Sequence, residues 1–180
     1  DALLTDGGHE VMIAARAGRC CRFNEEEARS LGRNSSGVRG ISIEEDDAVI
    51  GAISVNPGEA AAEGRTVLVV SENGYGKRTD FEEYRLTSRG AKGVKTIAIT
   101  EKTGPLVAIK SVTEDNDLMI ITKSGLTIRM AVSDIRVAGR ATQGVKLINI
   151  REGDAIAAVS PVAKYEEDAR EGEPQETENN

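Results

Sequence analysis

Tryptophan is missing from this chain, and only two phenylalanines and three tyrosines occur in its 180 residues. An interior without large aromatics has to be filled by Val, Ile, Leu and Ala. A repeat signed by a Trp-Asp pair is excluded outright. Cysteine is confined to the adjacent pair Cys20-Cys21. Neighbours on a strand point to opposite faces, so the pair suits neither a disulfide nor a metal clip. Two small strand residues, one of them buried, in a reducing compartment are expected instead. The single histidine, His9, stands in a Thr-Asp-Gly-Gly-His turn with no metal partner evident in the sequence. Neither a phosphate-binding loop nor a dinucleotide-binding glycine fingerprint occurs. Tyr75, Tyr84 and Tyr165 have no activating base in view. No apolar run approaches the roughly 20 residues that span a bilayer. The first residues lack the charged-then-apolar pattern of a secretory leader. A soluble, cytoplasmic chain without a catalytic constellation is expected, with no bound cofactor and no membrane.

What the chain does have is a pattern written three times. Aligned on a glycine, it reads Gly18-Arg19-Cys20-Cys21-Arg22, Gly74-Tyr75-Gly76-Lys77-Arg78 and Gly125-Leu126-Thr127-Ile128-Arg129. Eleven residues after the closing arginine comes another, at Arg33, Arg89 and Arg140. Four further on comes Gly-Val and a base, in Gly37-Val38-Arg39, Gly93-Val94-Lys95 and Gly144-Val145-Lys146. A period of this length marks a unit that buries its core only against its neighbours.

Each unit has the same grammar. A β-branched strand leads (11–15, 66–71, 118–122), and a Gly-containing turn follows, of which Asn73-Gly74 is a strong hairpin signal. A second strand carries the first arginine. An irregular connection with one helical turn leads to a third strand at the Gly-Val (38–43, 94–100, 145–150). The fourth strand covers 49–55, 106–112 and 155–162. Four antiparallel strands per unit of about 50 residues predict an all-β, propeller-like array. Its repeats are about 6–55, 62–112 and 114–162, with 56–64 as a Pro-Gly linker. Ala2-Leu3-Leu4-Thr5 matches the end of a preceding unit, and the chain reads as a fragment of a longer protein.

The formal net charge is −7. From Lys164 to Asn180, seven acids face two bases, so this tail holds −5 of that charge and the rest of the chain is near neutral. Few apolar residues mark the tail as disordered. Solvation does not require the same sign at the same place in every unit. The nine periodic bases therefore predict a basic track making sequence-tolerant, salt-sensitive contacts to nucleic-acid phosphates. For Arg33, Arg89 and Arg140, pairing inside the array with acids such as Glu26, Glu82 or Asp134 is the alternative. Further bases stand in the loops at Arg19, Lys77, Arg85, Lys92, Lys123 and Arg136.

The stretch Gly32-Arg33-Asn34-Ser35-Ser36-Gly37-Val38-Arg39-Gly40-Ile41 closely resembles the C-terminal domain of DNA gyrase A. So do Val11–Arg19, Asn73–Thr79 and Glu83-Tyr84-Arg85. The resemblance implies a β-pinwheel, a propeller-like disc whose blades exchange strands, with double-stranded DNA wrapped around a basic rim. By position, the rim candidates are Arg22, Arg33, Arg39, Lys77, Arg78, Arg89, Lys92, Lys95, Arg129, Arg140 and Lys146. The resemblance further implies a non-catalytic module of a bacterial, ATP-dependent type II topoisomerase that introduces negative supercoils. Its partners would be the rest of gyrase A and the gyrase B protein, with ATP and Mg held elsewhere in that assembly. The family's first-blade box, Gln-Arg-Arg-Gly-Gly-Lys-Gly, is not found here, so the corresponding domain of topoisomerase IV is a second reading. A propeller-like protein-interaction scaffold is a third. The acidic residues Glu166, Glu167, Asp168, Glu171 and Glu173 are similar to tails that regulate wrapping in the family.

Overall fold

The first strand of the middle repeat is wholly buried because its sheet lies between two others. The computed structural model describes residues 2–164. It contains eleven strands in three antiparallel sheets. Repeat 1 supplies β1 (Glu10–Ala15), β2 (Arg19–Asn24) and β3 (Val49–Val55). Repeat 2 supplies β4 (Thr66–Ser71), β5 (Tyr75–Thr79), β6 (Val94–Lys95) and β7 (Leu106–Val112). Repeat 3 supplies β8 (Asn116–Thr122), β9 (Thr127–Ala131), β10 (Val145–Lys146) and β11 (Ile156–Ala163). A 3-10 turn follows the second strand of each repeat, at Glu25–Glu27, Phe81–Glu83 and Val132–Asp134.

The sheets run β3-β1-β2-β6, β10-β5-β4-β7 and β11-β8-β9. The two-residue strand that begins at the valine of the Gly-Val thus joins the sheet of the preceding repeat. β6 pairs with β2 (Cys20 opposite Val94), and β10 pairs with β5 (Gly76 opposite Val145). The fourth strands pack on one another, β3 on β7 and β7 on β11, and define the inner edge. The donated strands lie at the opposite, outer edge.

The core lies between sheets. On β4 all six residues are buried. Val67 and Val69 join Met12, Cys20, Ile53 and Tyr84 in one seam, while Leu68 and Val70 join Leu118, Ile120 and Ile135 in the next. Period-2 alternation feeds two cores from one strand. Cys20 and Cys21 obey the same rule and enter different clusters, both buried and both free thiols.

Two sequence expectations are corrected. The third strands are not 38–43, 94–100 and 145–150, for only residues 94–95 and 145–146 are in strand. After Lys95 the chain turns inward. The Thr96 amide donates to the Gly18 carbonyl and Ile97 is fully buried in the seam, so its apolar spacing reports an anchor rather than a strand. The 56–64 linker contains a short helix, α1 (Pro57–Ala62). Asn56 caps it, accepting from the amides of Gly58 and Glu59, and proline stands in its first turn, where the lost N–H is not missed.

Candidate nucleic-acid interface

The eleven rim candidates separate by burial into three groups. Arg22, Lys77 and Arg78 are not exposed rim residues at all, being 9%, 0% and 4% accessible. Arg22, Lys77 and Arg78 turn instead toward the connection of the next repeat. There they meet backbone carbonyls that no strand partner satisfies. The Arg22 guanidinium donates to the carbonyls of Phe81 (2.7 Å) and Tyr84 (2.8 Å) in the next repeat and pairs with Glu10. Arg78 does the same one repeat later. Its Nε donates to the Ile135 carbonyl at 2.7 Å, and its terminal nitrogens pair with Glu114 at 3.1 Å. Lys77 donates from Nζ to the carbonyls of Gly139 and Arg140. Burial pulls its ammonium down to about 8, with Arg140 adding to the shift and Glu83 opposing it. These three tie the 3-10 turns and connections of repeats 2 and 3 to the preceding sheet. Arg129 is exposed and engages Asp117 (2.7 Å) and the Ala163 carbonyl (3.1 Å) within its own sheet.

Arg89 and Arg140 form a second group, half-buried, with the same contacts one repeat apart. The Arg89 amide donates to the Glu27 carboxylate (2.8 Å), and its guanidinium donates to the carbonyls of Glu27 (3.0 Å) and Arg39 (2.6 Å). The Arg140 amide donates to the Glu83 carboxylate (2.9 Å), and its guanidinium to the carbonyls of Glu83 (3.1 Å) and Lys95 (2.8 Å). The acids are Glu27 and Glu83, one residue beyond the expected Glu26 and Glu82, and they belong to the neighbouring repeat. Each of these arginines pins the backbone of the base that follows the preceding Gly-Val. Arg33, at the same offset, is exposed and makes no hydrogen bond or ion pair with the described residues.

Arg39, Lys92, Lys95 and Lys146 join Arg33 and Arg129 in the exposed third group. Lys92 has an ion pair with Glu44 at 3.6 Å in which both partners are mostly exposed, an arrangement that contributes little. Lys95 stands directly opposite Arg19 in the β2–β6 pair. Like charges facing each other across a ladder are destabilising unless something anionic lies between them. Lys146 stands opposite Tyr75, whose ring also carries the Lys102 ammonium 5.4 Å from its centroid. Lys102, Lys146 and Arg151 line one shallow cavity of about 340 Å³ around that ring. The acidic tail residues Glu166 to Glu173 lie outside the described residues.

One periodic base escaped the sequence reading. Seven residues after the first arginine stand Arg29, Arg85 and Arg136, all arginine and all exposed. Arg85 and Arg136 read as loop bases, while counting the offset would have added Arg29. Elsewhere, His9 proves to have acidic neighbours after all. Its Nδ1 lies 2.9 Å from Asp6 and 3.7 Å from Glu25, whose carboxylate also accepts the amides of Gly7 and His9. The three form a turn lock at the entry to β1.

Comparison with known proteins fits this geometry. A family model described as the DNA gyrase C-terminal domain, beta-propeller, matches residues 9–56, 65–113 and 116–163. The DNA gyrase A protein of Staphylococcus epidermidis is 46% identical over 159 residues, 88% of this chain and 17% of the relative. The Staphylococcus aureus protein is 46% identical over 168 residues, 93% and 18% respectively. The chain therefore spans less than a fifth of the length of these relatives. A solved DNA gyrase A C-terminal domain superposes with a TM-score of 0.77 at 25% identity, covering 87% of this chain and 52% of that one. The C-terminal domain of DNA topoisomerase IV shares the fold, with a TM-score of 0.82 at 20% identity over 91% of this chain and 49% of that one. With strands exchanged between successive repeats and a family match to all three repeats, the chain belongs to the DNA gyrase C-terminal domain family of β-propellers.

Proposed function

We propose that this chain is a non-catalytic module of gyrase A that binds duplex DNA and bends it around its outer edge. It thereby supports ATP-dependent negative supercoiling by the whole enzyme. Catalysis, ATP and Mg belong to the rest of gyrase A and to gyrase B. The observation that carries the reading is the recurrence of an exposed base beside the Gly-Val of every repeat, at Arg39, Lys95 and Lys146. In repeats 2 and 3 that base is the outermost strand residue of the preceding blade. Strand donation repeats one positive charge along the outer edge, and the arginine pins hold its backbone in place. Duplex DNA is stiff over about 150 bp, and curving a short segment costs on the order of several kcal/mol. Phosphate contacts spread over successive blades offset that cost. The gyrase reading is favoured over topoisomerase IV because the sequence relatives are DNA gyrase A proteins at 46% identity.

Duplex affinity measured across a salt series tests the proposal. A steep fall of log K with log salt, the same for unrelated sequences, is expected. No binding at low salt, or binding to one sequence only, would overturn it and favour a protein-interaction scaffold. The acidic tail is a tethered polyanion that competes with phosphate for the same bases. A chain ending at Ala163 should therefore bind DNA more tightly.

A further inference from the structure

The outer edge of each acceptor strand is covered twice. On β5, the donated strand β10 lies beside Tyr75 and Gly76. At the other end of the same edge the connection of repeat 3 runs alongside. The Arg78 amide donates to the Arg136 carbonyl (3.0 Å), the Ala138 amide donates to the Arg78 carbonyl (2.9 Å), and Val137 forms a parallel bridge with Arg78. One outer edge therefore carries Lys146 at one end and Arg136 at the other. Blade 1 repeats the arrangement. β6 lies beside Arg19 and Cys20, and the Thr87 amide donates to the Arg22 carbonyl at 2.8 Å, bringing Arg85 to the far end. Three strand steps separate the ends, about 10 Å at the usual rise.

The side chains of Arg29, Arg85 and Arg136 are exposed and make no hydrogen bond or ion pair with the described residues. Three guanidiniums at one offset, each without a folding role, contrast with Arg22 and Arg78, whose fixed offset is explained by the carbonyls they cap. We infer that Arg29, Arg85 and Arg136 form a second row of duplex-DNA phosphate contacts beside the row of Arg39, Lys95 and Lys146, so that each blade that receives a donated strand grips the duplex at two points. Duplex DNA carries one phosphate per about 1.7 Å of axis, so two bases roughly 10 Å apart each meet a phosphate without any sequence requirement. A guanidinium presents a planar fork to a phosphate and a lysine a point charge, which suits arginine to a fixed position on the connection.

This inference rests on the DNA-binding reading, and the test separates the two. Duplex affinity against salt is measured for the whole chain, for Arg29→Gln/Arg85→Gln/Arg136→Gln, for the same sites changed to Lys, and for Arg39→Gln/Lys95→Gln/Lys146→Gln. The arginine-to-glutamine triple should flatten the log–log salt slope by about 0.9 per residue removed, with no change in melting temperature. The lysine triple should restore the slope. If the triple lowers the melting temperature, single glutamine variants, each expected to remove about 0.9, decide the matter. Unaltered slope and affinity in the glutamine variants, beside a loss in the Arg39/Lys95/Lys146 triple, would overturn the second row and leave the DNA reading standing. Absence of duplex binding by the unmodified chain would overturn both.

Discussion

Lys77 takes its ammonium into a seam that leaves it no accessible surface, with two carbonyls as acceptors. The folded-state value of about 8 lies below the ordinary 10.5. Between these values the unfolded chain holds the proton and the folded chain does not, so stability rises with pH across that window. Below it both states are protonated and the burial penalty is constant. The melting temperature of the unmodified chain should therefore gain on that of Lys77→Met as pH rises from about 8 to 10.5. A constant difference would mean that the ammonium is solvated after all. The same logic distinguishes arginines that look alike in sequence. Arg78→Ala removes charge-assisted bonds to a buried carbonyl and should lower stability by about 2–3 kcal/mol. It should leave the salt slope of DNA binding untouched. Arg33→Ala loses no partner among the described residues, so stability should hold within about 0.5 kcal/mol while the slope falls by about 0.9. Denaturation midpoints and the salt series, run on both variants, check this.

At the scale of the element, the donated strand depends on its glycine. Gly93 and Gly144 have φ of +71° and +80°, and a Cβ there would run into backbone, the Cys20 carbonyl and the Gly76 carbonyl respectively. Gly37 has the same conformation, with φ of +80°, and nothing within 4 Å. Gly37→Ala should cost the left-handed strain alone, about 1–2 kcal/mol. Gly93→Ala and Gly144→Ala should cost more, because β6 or β10 must also back away from its acceptor. Equal losses in thermal denaturation of the three variants would disprove the close approach. Much of this scaffold was legible in the sequence, since β-branched runs, Gly turns and the period fix the first, second and fourth strands by local pattern. The third strand was not legible, because its length is set by a partner in another repeat, and Ile97 looks like strand while serving as an anchor. Helix α1 was signed by Asn56-Pro57 but masked by Pro57-Gly58, which equally suits a turn. At the candidate site the periodic offsets found the bases without separating their roles. Arg22 and Arg39 carry the same charge in sequence, and only the Phe81 and Tyr84 carbonyls of the neighbouring repeat, with Glu10, hold the first buried.

For the molecule as a whole, cores shared between sheets make the array cooperative. β4 contributes Val69 to one seam and Val70 to the next, so no sheet is complete when separated from its neighbours. The shared seams also keep successive outer edges in fixed relation, which a stiff duplex requires if contacts on different blades are to act together. Strand donation has one more consequence, and it concerns inheritance. The segment that recurs in the gene and the sheet that packs in the protein are out of phase. A sheet such as β3-β1-β2-β6 draws on two consecutive repeats, with Arg19 facing Lys95 from 76 positions away. A duplicated repeat brings both a strand to give and an edge to receive one, so an array of this kind can lengthen or shorten by whole units without inventing a new joint. The same offset ties the drift of each unit to that of its neighbour, because no acceptor edge can change freely while its donor is encoded in the next copy.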